Sequence, residues 1–474
     1  LNLKDKPADP ASDLCRAFDI QRLALAASGP ADAGLRKDRL GRLLKLLLEN
    51  ADALAEAIDR DFAGRSRHET QLLELFPALE GVRHARSHVR RWMRPQRRGT
   101  SLWFLPGRSE VRAQALGVVG IVVPWNYPVF LAVGPLTAAL AAGNRAMVKM
   151  SEFTPATGEL FAALVAKAFD PAEVTVVNGS AQVAQEFVAL PFDHLLFTGS
   201  TAVGRHVMRA AAQNLTPVTL ELGGKSPAII GPGARLDVAA ERIMLGKCVN
   251  AGQTCIAPDY VLVPAARVEE FATLAKGVVS RFYPRLRDNP DYSSIINDRH
   301  RARLEGLARD AVARGATLVP LHADDLAGTG KIVPQLMLGA SDEMAVMQEE
   351  IFGPLLPLVP YGTIDEAIAY VNARPRPLAL YMFDDDRRNV EAVLERTVSG
   401  GVSVNDTLLH IAQDNLPFGG VGASGMGHYH GRDGFNTFSK LKPVFRQSRL
   451  NGLALLMPPF SSRFESLIRL LIRK

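Results

Sequence analysis

Cys255 closes the segment Asn250-Ala251-Gly252-Gln253-Thr254-Cys255, a small and polar loop that follows the helix-like run LDVAAERIMLGKCV. A thiol in such a loop is a candidate nucleophile, because the thiolate is the reactive form and a loop leaves it within reach of a substrate. The alternative is a small buried hydrophobe, the usual state of cysteine. That reading fits Cys15, and Cys248 inside the helical pattern. Glu221 lies in VTLEL, where Val218, Leu220 and Leu222 alternate with Thr219 and Glu221, so its carboxylate faces away from the apolar side of a strand. Gly223-Gly224 follows and leaves space and backbone freedom beside it, which suits a base that activates water. A half-exposed strand is the plainer alternative.

Two further segments point to nucleotide chemistry. Gly199-Ser200-Thr201-Ala202-Val203-Gly204 joins a strand-like run to a helix-like one, where free N–H groups and the positive helix end hold phosphate. The G-x-x-x-x-G spacing is that of a Walker loop, but Arg205 and His206 replace the clamping lysine and the Mg²⁺-binding hydroxyl. It is not G-x-G-x-x-G either, and a Ser/Thr-capped helix start is the competing reading. Lys149 and Glu152 follow a buried strand. They could reach the ribose hydroxyls of a nucleotide laid across the sheet, or form a surface ion pair of small worth.

These residues need a common scaffold. In open parallel sheets ligands bind outside the carboxyl ends of strands, and segments 124–128, 149–152, 197–204 and 221–225 each follow an apolar run. GVVGIVVP, starting at Gly117, is continuous and rich in β-branched residues, as a strand buried on both faces requires. AMVKM, VTVVNG, HLLFTG and VTLELGG follow, alternating with helix-like PVFLAVGPLTAALAAGN, TPATGELFAALVAKAF, AQVAQEFVALP and TAVGRHVMRAAAQN. Such alternation predicts a doubly wound α/β domain. Residues 12–94 form a helical preface, and from Lys225 onward PAIIG, YVLVP, KIVPQLML, LPLVPY, LALYMF and VSVN supply a second α/β domain. The 474 residues exceed the length at which one core stops growing, so two or more domains are expected.

With 47% apolar and 22% charged residues, the chain is not a mainly disordered one. Its net charge of +6 is local, because residues 83–98, RHARSHVRRWMRPQRR, hold seven arginines and no acid. Only Trp92 interleaves them as a stacking platform, so a solvated helix face or subunit contact is expected rather than nucleic acid. Three cysteines without a C-x-x-C pair argue against disulfides and a zinc cage. No apolar stretch is long enough to span a membrane and no secretory pattern is present, so a cytoplasmic protein is expected. His428-Tyr429-His430 lacks a third ligand, and no metal is assigned.

Taken in order, PWNYP, KMSE, FTGSTAVG, ELGGKSP, GQTC, QEEIFGP at 348–354 and LPFGGVGASGMG at 416–427 resemble the aldehyde dehydrogenase superfamily, from about residue 20 to residue 446. CIAPDYVL, SGMGHYHG and a tail running on through LNGLALLMPPF resemble the shorter-chain branch that holds the class 3 and coniferyl aldehyde dehydrogenases. The resemblance implies a Rossmann-type NAD(P)-binding domain (1–96 and 116–222) and an α/β catalytic domain (223–425). It also implies a small β oligomerisation flap (97–115 and 439–448), followed by a C-terminal tail (449–474). By the same resemblance, Cys255 is the nucleophile, Asn126 and the Cys255 N–H hold the oxyanion, and Glu221 is the deacylating base. Lys149 and Glu152 match the adenosine-ribose positions, Ser200 with Gly199 and Gly204 the pyrophosphate turn, and Glu350 the acid on the nicotinamide ribose. Phe352, Pro124 and Trp125 would wall the nicotinamide.

Glu152 favours NAD, because a carboxylate repels a 2′-phosphate; the branch also holds NADP users, and Met150 within KMSE departs from the smaller or cyclic residue of many relatives. The expected reaction is oxidation of an aldehyde, an aromatic one such as coniferyl aldehyde, to its acid by a homodimer. Two other readings stay open: a medium- or long-chain fatty aldehyde dehydrogenase, and a non-enzymatic nucleic-acid-binding or structural protein on this fold. In RFESLIRLLIRK, Phe464, Leu467, Ile468 and Leu471 share a helical face opposite Glu465, Arg469 and Arg473. Docking on a neighbouring subunit is expected of that face, with weak peripheral membrane contact as the alternative.

Overall fold

The computed structural model describes residues 10–452 and 457–472. Its first sheet has six strands in the order Gly425–Met426, Val218–Leu222, His194–Gly199, Val118–Val122, Arg145–Lys149, Val174–Val177. All neighbours are parallel except the first pair. The chain enters at Val118–Val122, winds outward to Val174–Val177, then crosses back to build the other half from His194–Gly199. That reversal beside Val118–Val122 opens the crevice at which doubly wound sheets bind ligands. Val118–Val122 and Arg145–Lys149 are buried along their whole length, as uninterrupted apolar strands covered on both faces must be.

Val218–Leu222 departs from the half-exposed reading, for Thr219 and Glu221 are buried along with the leucines. The alternation misleads because both faces are covered. Thr219 is hydrogen-bonded to His194 at 2.9 Å, Leu222 meets the helix Thr201–Ala212 at Gly204, and Gly425 pairs opposite Glu221 on the outer edge.

The second sheet has seven strands in the order Thr317–Pro320, Gln335–Leu338, Leu355–Tyr361, Tyr260–Pro264, Pro227–Ile230, Ala379–Phe383, Gly401–Val404. Of KIVPQLML only Gln335–Leu338 is strand; Pro334, with no N–H to give, precedes it. The edge strand Thr317–Pro320, antiparallel to its neighbour, carries no sequence signal that singled it out. A third, antiparallel sheet joins Gln96–Arg98, Arg108–Ala115 and Ser439–Arg446.

The preface folds into helices Pro10–Ala27, Ala33–Glu49, Ala51–Phe62 and Phe76–Trp92, with Arg67–Thr70 and a π-turn, Gln71–Leu75, before the last. On Phe76–Trp92 the residues Val82, Ala85, Val89 and Trp92 face inward, while all seven arginines of 83–98 are exposed. Trp92 stacks under His88 and against Phe435, so its ring is covered by the protein itself. Cys248 is buried as expected, but Cys15 is exposed, which corrects its reading as a small core residue. The tail helix Ser462–Ile472 has no buried residue; Phe464, Leu467 and Ile468 are only half-covered. Arg473 on its polar face, residues 453–456 of the tail and the first nine residues assigned to the nucleotide domain lie outside the described residues. Among the described residues no helix is long and apolar enough to cross a membrane.

Candidate active site

Around the crevice the ends of both large domains' elements converge on a cavity of about 440 Å³. Cys255 is on its wall, at the end of a tightly constrained loop. The helix Leu236–Cys248 gives way to Asn250, Ala251 and Gly252 at φ of 50, 51 and 75°. Left-handed conformations in non-glycine residues cost roughly 1–3 kcal/mol each and persist only when their surroundings enforce them. Here the enforcement is visible. The Asn250 N–H donates to Glu69 Oε2 at 2.8 Å, and its side-chain amide to the Asn126 and Gln253 carbonyls at 3.1 Å each. The Gln253 amide donates to Ser294 O at 2.9 Å, and Ile296 N–H donates to its Oε1 at 3.0 Å. At Gly252 a Cβ would stand 2.4 Å from Gly353 O, so only glycine fits.

The thiol that this loop presents receives the N–H groups of Cys255 and Ile256. Burial, then the charges of Glu350 and Glu221, nevertheless push it up to about 12. Asn126 comes from the turn between Val118–Val122 and the helix Pro128–Ala142. Its amide donates to Gln253 O at 3.2 Å, and its carbonyl accepts from Arg65 Nη1 at 2.9 Å. The Arg65 guanidinium is held between the Phe62 and Tyr127 rings, 4.9 and 4.8 Å from their centres. Glu74, 3.6 Å from Arg65, accepts the N–H groups of Val129 and Phe130 at 2.9 and 3.2 Å and so caps the helix that follows Asn126. Sequence reading missed Arg65, Glu69, Glu74 and Asn250 as positioning groups.

Glu221 is 3% exposed and neither of its oxygens has a hydrogen-bond partner among the described residues. Burial raises it well above the ordinary carboxylate range. Glu350, on the same cavity, accepts the Gly224 N–H, and burial with the nearby Asp259 charge raises it to about 8. A Cβ on Gly223 would fall 1.9 Å from Glu350 Oε2, so that glycine is what admits the carboxylate. The segment carrying it is clamped: Arg303 donates to Ile351 O at 2.8 Å and to Glu350 O, and Ile351 N–H donates to Asp259 Oδ1 at 2.9 Å. Glu349 also lines the cavity but is exposed, 3.4 Å from Arg303. Phe352, at φ 51°, meets Trp125 edge-on with centroids 5.3 Å apart, and His300 packs on Trp125 at 4.9 Å. Neither His300 nor Arg303 stood out in the amphipathic run that bears them.

Gly199, Ser200, Thr201 and Ala202 form the opposite wall. Ser200 caps Thr201–Ala212, its Oγ accepting Val203 N–H at 3.4 Å, so the cap and an anion-ready helix end coexist. Gly204 is not on the wall; it packs where a Cβ would come within 2.7 Å of Leu222. Lys149, the last residue of the next strand, and Glu152, three residues past it, also lie outside the wall. The surface ion pair is not formed. Lys149 is 1% exposed and its Nζ donates to the carbonyls of Met150 at 2.7 Å and Gly179 at 2.9 Å, while Glu152 is exposed. His428 is exposed, and His430 stacks on Phe418 at 5.2 Å in the interior.

A helix end open to phosphate, aromatic walls and an inward carboxylate fit a nicotinamide dinucleotide, and its inner end would meet Cys255 and Glu221. The sequence matches the profile described as the aldehyde dehydrogenase family over residues 4–444. The chain belongs to the aldehyde dehydrogenase family. It is similar, at 57% identity over 452 residues (95% of this chain and 94% of the other), to a probable coniferyl aldehyde dehydrogenase of Pseudomonas aeruginosa. Among solved structures it resembles a substrate-bound Staphylococcus aureus AldH with TM-score 0.91 and 37% identity, covering 97% of this chain and 99% of that one. A Mycobacterium tuberculosis aldehyde dehydrogenase complexed with NAD⁺ follows at TM-score 0.84 and 28% identity, over 94% and 91% of the two chains. As an aldehyde dehydrogenase the protein is an NAD(P)-dependent oxidoreductase that converts an aldehyde to the carboxylic acid.

Proposed function

We propose that the substrate is an aromatic aldehyde of the phenylpropenal kind, coniferyl aldehyde being the best match, and that Cys255, Asn126 and Glu221 carry the chemistry. The observation that carries this reading is the meeting of a thiol and an unpartnered buried carboxyl on one cavity, with Asn126 beside them. The 57% identity to the Pseudomonas aeruginosa protein named for coniferyl aldehyde supports the substrate. Cys255 adds through sulfur to the aldehyde carbon, and the resulting oxyanion accepts hydrogen bonds from the Asn126 amide and the Cys255 N–H, donors aimed where charge develops. NAD(P)⁺, when bound, supplies the two-electron acceptor by which the thiohemiacetal becomes a thioester. Glu221 then takes a proton from water, whose oxygen attacks the thioester carbon; the C–S bond breaks, the acid leaves and the thiol is restored.

Pro124, Trp125 and Phe352 would wall the nicotinamide and Glu350 would hold its ribose. Gly199, Ser200 and Gly204 belong to the pyrophosphate turn, and Lys149 and Glu152 would take the adenosine ribose, which favours NAD while admitting NADP. Changing Gly223 to Ala drives the Glu350 carboxylate out of its place. The expected result is a rise of about tenfold or more in KM for NAD⁺, with Cys255 still alkylated by iodoacetamide; an unchanged KM would remove Glu350 from the cofactor site.

The flap, 97–115 with 439–448, is proposed to pair two copies into a homodimer. The three free thiols support a reducing, cytoplasmic setting. A fatty-aldehyde reading is favoured by one observation, the half-covered apolar face of Ser462–Ile472. Initial rates of NADH formation with coniferyl aldehyde, benzaldehyde and alkyl aldehydes of six to sixteen carbons separate the two. The expected result is the highest kcat/KM for coniferyl aldehyde, whereas a rise with alkyl length would establish the fatty-aldehyde reading instead.

A further inference from the structure

The two donors proposed to hold the oxyanion come from different sheets. Asn126 follows Val118–Val122 of the six-stranded sheet, and the Cys255 N–H sits in the loop that leads to Tyr260–Pro264 of the seven-stranded one. Such donors work only within hydrogen-bond reach of the place where charge develops, and a displacement of about 1 Å can cost about a hundredfold in rate. Segments from separate sheets therefore need a latch close to the donors themselves.

PWNYP and GQTC supply one through the two residues to which the chemistry gives no part. Pro128 keeps the residue before it out of the helical region, and Tyr127 accordingly stands at φ −139° and ψ 69°. The Tyr127 ring lies against the Arg65 guanidinium, and its buried hydroxyl meets the Thr254 hydroxyl at 2.7 Å. Tyr127 is the residue after Asn126 and Thr254 the residue before Cys255, so this bond joins the immediate neighbours of both donors. The next rung is the 3.2 Å bond from the Asn126 amide to Gln253 O. An amide nitrogen carries two N–H groups. Gln253 takes one and leaves the other for the cavity that Asn126 and Cys255 both line. A buried tyrosine hydroxyl ordinarily finds some partner; what distinguishes this one is where the partner stands. Burial pushes the Tyr127 phenol up, so both hydroxyls stay neutral and the pair acts as a spacer.

We infer that the Tyr127–Thr254 hydrogen bond sets the spacing of the oxyanion hole, which makes Tyr127 and Thr254 positioning residues for the Asn126 amide and the Cys255 N–H. The inference rests on those two groups being the oxyanion donors. The test runs two reactions of the same thiol on the full-length enzyme. Hydrolysis of p-nitrophenyl acetate without cofactor takes Cys255 through a tetrahedral oxyanion: the C–S bond forms, p-nitrophenolate leaves, and water then releases acetate. Alkylation by iodoacetamide displaces iodide from a saturated carbon and forms no oxyanion. Tyr127→Phe and Thr254→Val each lack one hydroxyl. Both are expected to lower kcat/KM for the ester and for aldehyde oxidation by about tenfold to a hundredfold, with alkylation and NADH binding unchanged. The double variant should lose no more than either single one, because the bond is already broken. Thr254→Ser, which keeps the hydroxyl, should retain most of the rate.

Asn126→Ala provides the reference, with an expected loss of about 10²- to 10³-fold in both oxyanion-forming reactions. Undiminished rates in Tyr127→Phe and Thr254→Val beside an impaired Asn126→Ala overturn the inference and leave the donors in place. An Asn126→Ala enzyme with full activity overturns both. Alkylation that falls in step with turnover would mean that the pair serves the thiol or the fold at large, and losses that add in the double variant would mean that the two hydroxyls act separately. Either result overturns the inference.

Discussion

Replacing Cys255 with alanine is expected to lower kcat by at least about 10⁴-fold with every aldehyde tested, because no other group can form the covalent intermediate. Cys248, the nearest alternative thiol in sequence, is fully buried and its ionisation is pushed up to about 12. The substitution should leave the loop standing. The bonds that hold it run through Asn250, Gln253, Glu69 and Ser294, and none uses the Cys255 side chain. NADH binding, followed by fluorescence, should therefore be unchanged in the variant, which separates loss of the nucleophile from loss of the site. More than one per cent of wild-type turnover would show that Cys255 is not the nucleophile.

The same thiol explains why the loop carries so much positioning. With its ionisation pushed to about 12, little thiolate exists at neutral pH, and among the described residues it is the two N–H groups aimed at the sulfur that favour the thiolate. Alkylation by iodoacetamide without cofactor should accordingly rise with pH throughout the range from 7 to 9. A plateau below pH 8 would mean that the thiol ionises far more easily than this burial allows.

Much of this was legible in the sequence because it is local. The strands Val118–Val122, Arg145–Lys149 and His194–Gly199 announce themselves as uninterrupted apolar runs, and the residues just beyond them belong at a crevice for topological reasons. Cys255 is conspicuous in a loop too polar for a core. What could not be read is convergence over long separations. Arg65 is an ordinary basic residue in a helical preface until the fold carries it 61 positions along the chain to the Asn126 carbonyl. Glu74 looks like one more acid on an amphipathic face until its carboxylate caps Pro128–Ala142. The alternation in VTLEL is genuine, but it reports side-chain polarity and not exposure, so it placed Glu221 half in water when both faces of that strand are covered. The error concerns the very property that fits the residue to its role.

That property sets the outcome for Glu221→Gln. An ordinary carboxylate is fully ionised at neutral pH and a weak base, whereas burial holds Glu221 well above that range, where proton affinity suits the deprotonation of water. Glutamine keeps the shape and loses the base. Deacylation should fall by about 10² to 10⁴-fold, while thioester formation proceeds, since Glu221 contributes one of the negative charges that oppose ionisation of Cys255. The expected trace in rapid mixing is a burst of NADH equal to the enzyme concentration, followed by a nearly flat steady state, with acyl-enzyme detectable by mass. The pH dependence follows by sign. The basic form is the carboxylate, so the wild-type deacylation rate should climb as pH rises through the elevated ionisation of Glu221 and then level off. In the glutamine variant that climb should vanish. A Glu221→Gln enzyme with an undiminished steady-state rate, or with a burst abolished along with the steady state, would remove Glu221 from the deacylation step and leave the unpartnered carboxyl beside Cys255 without a function.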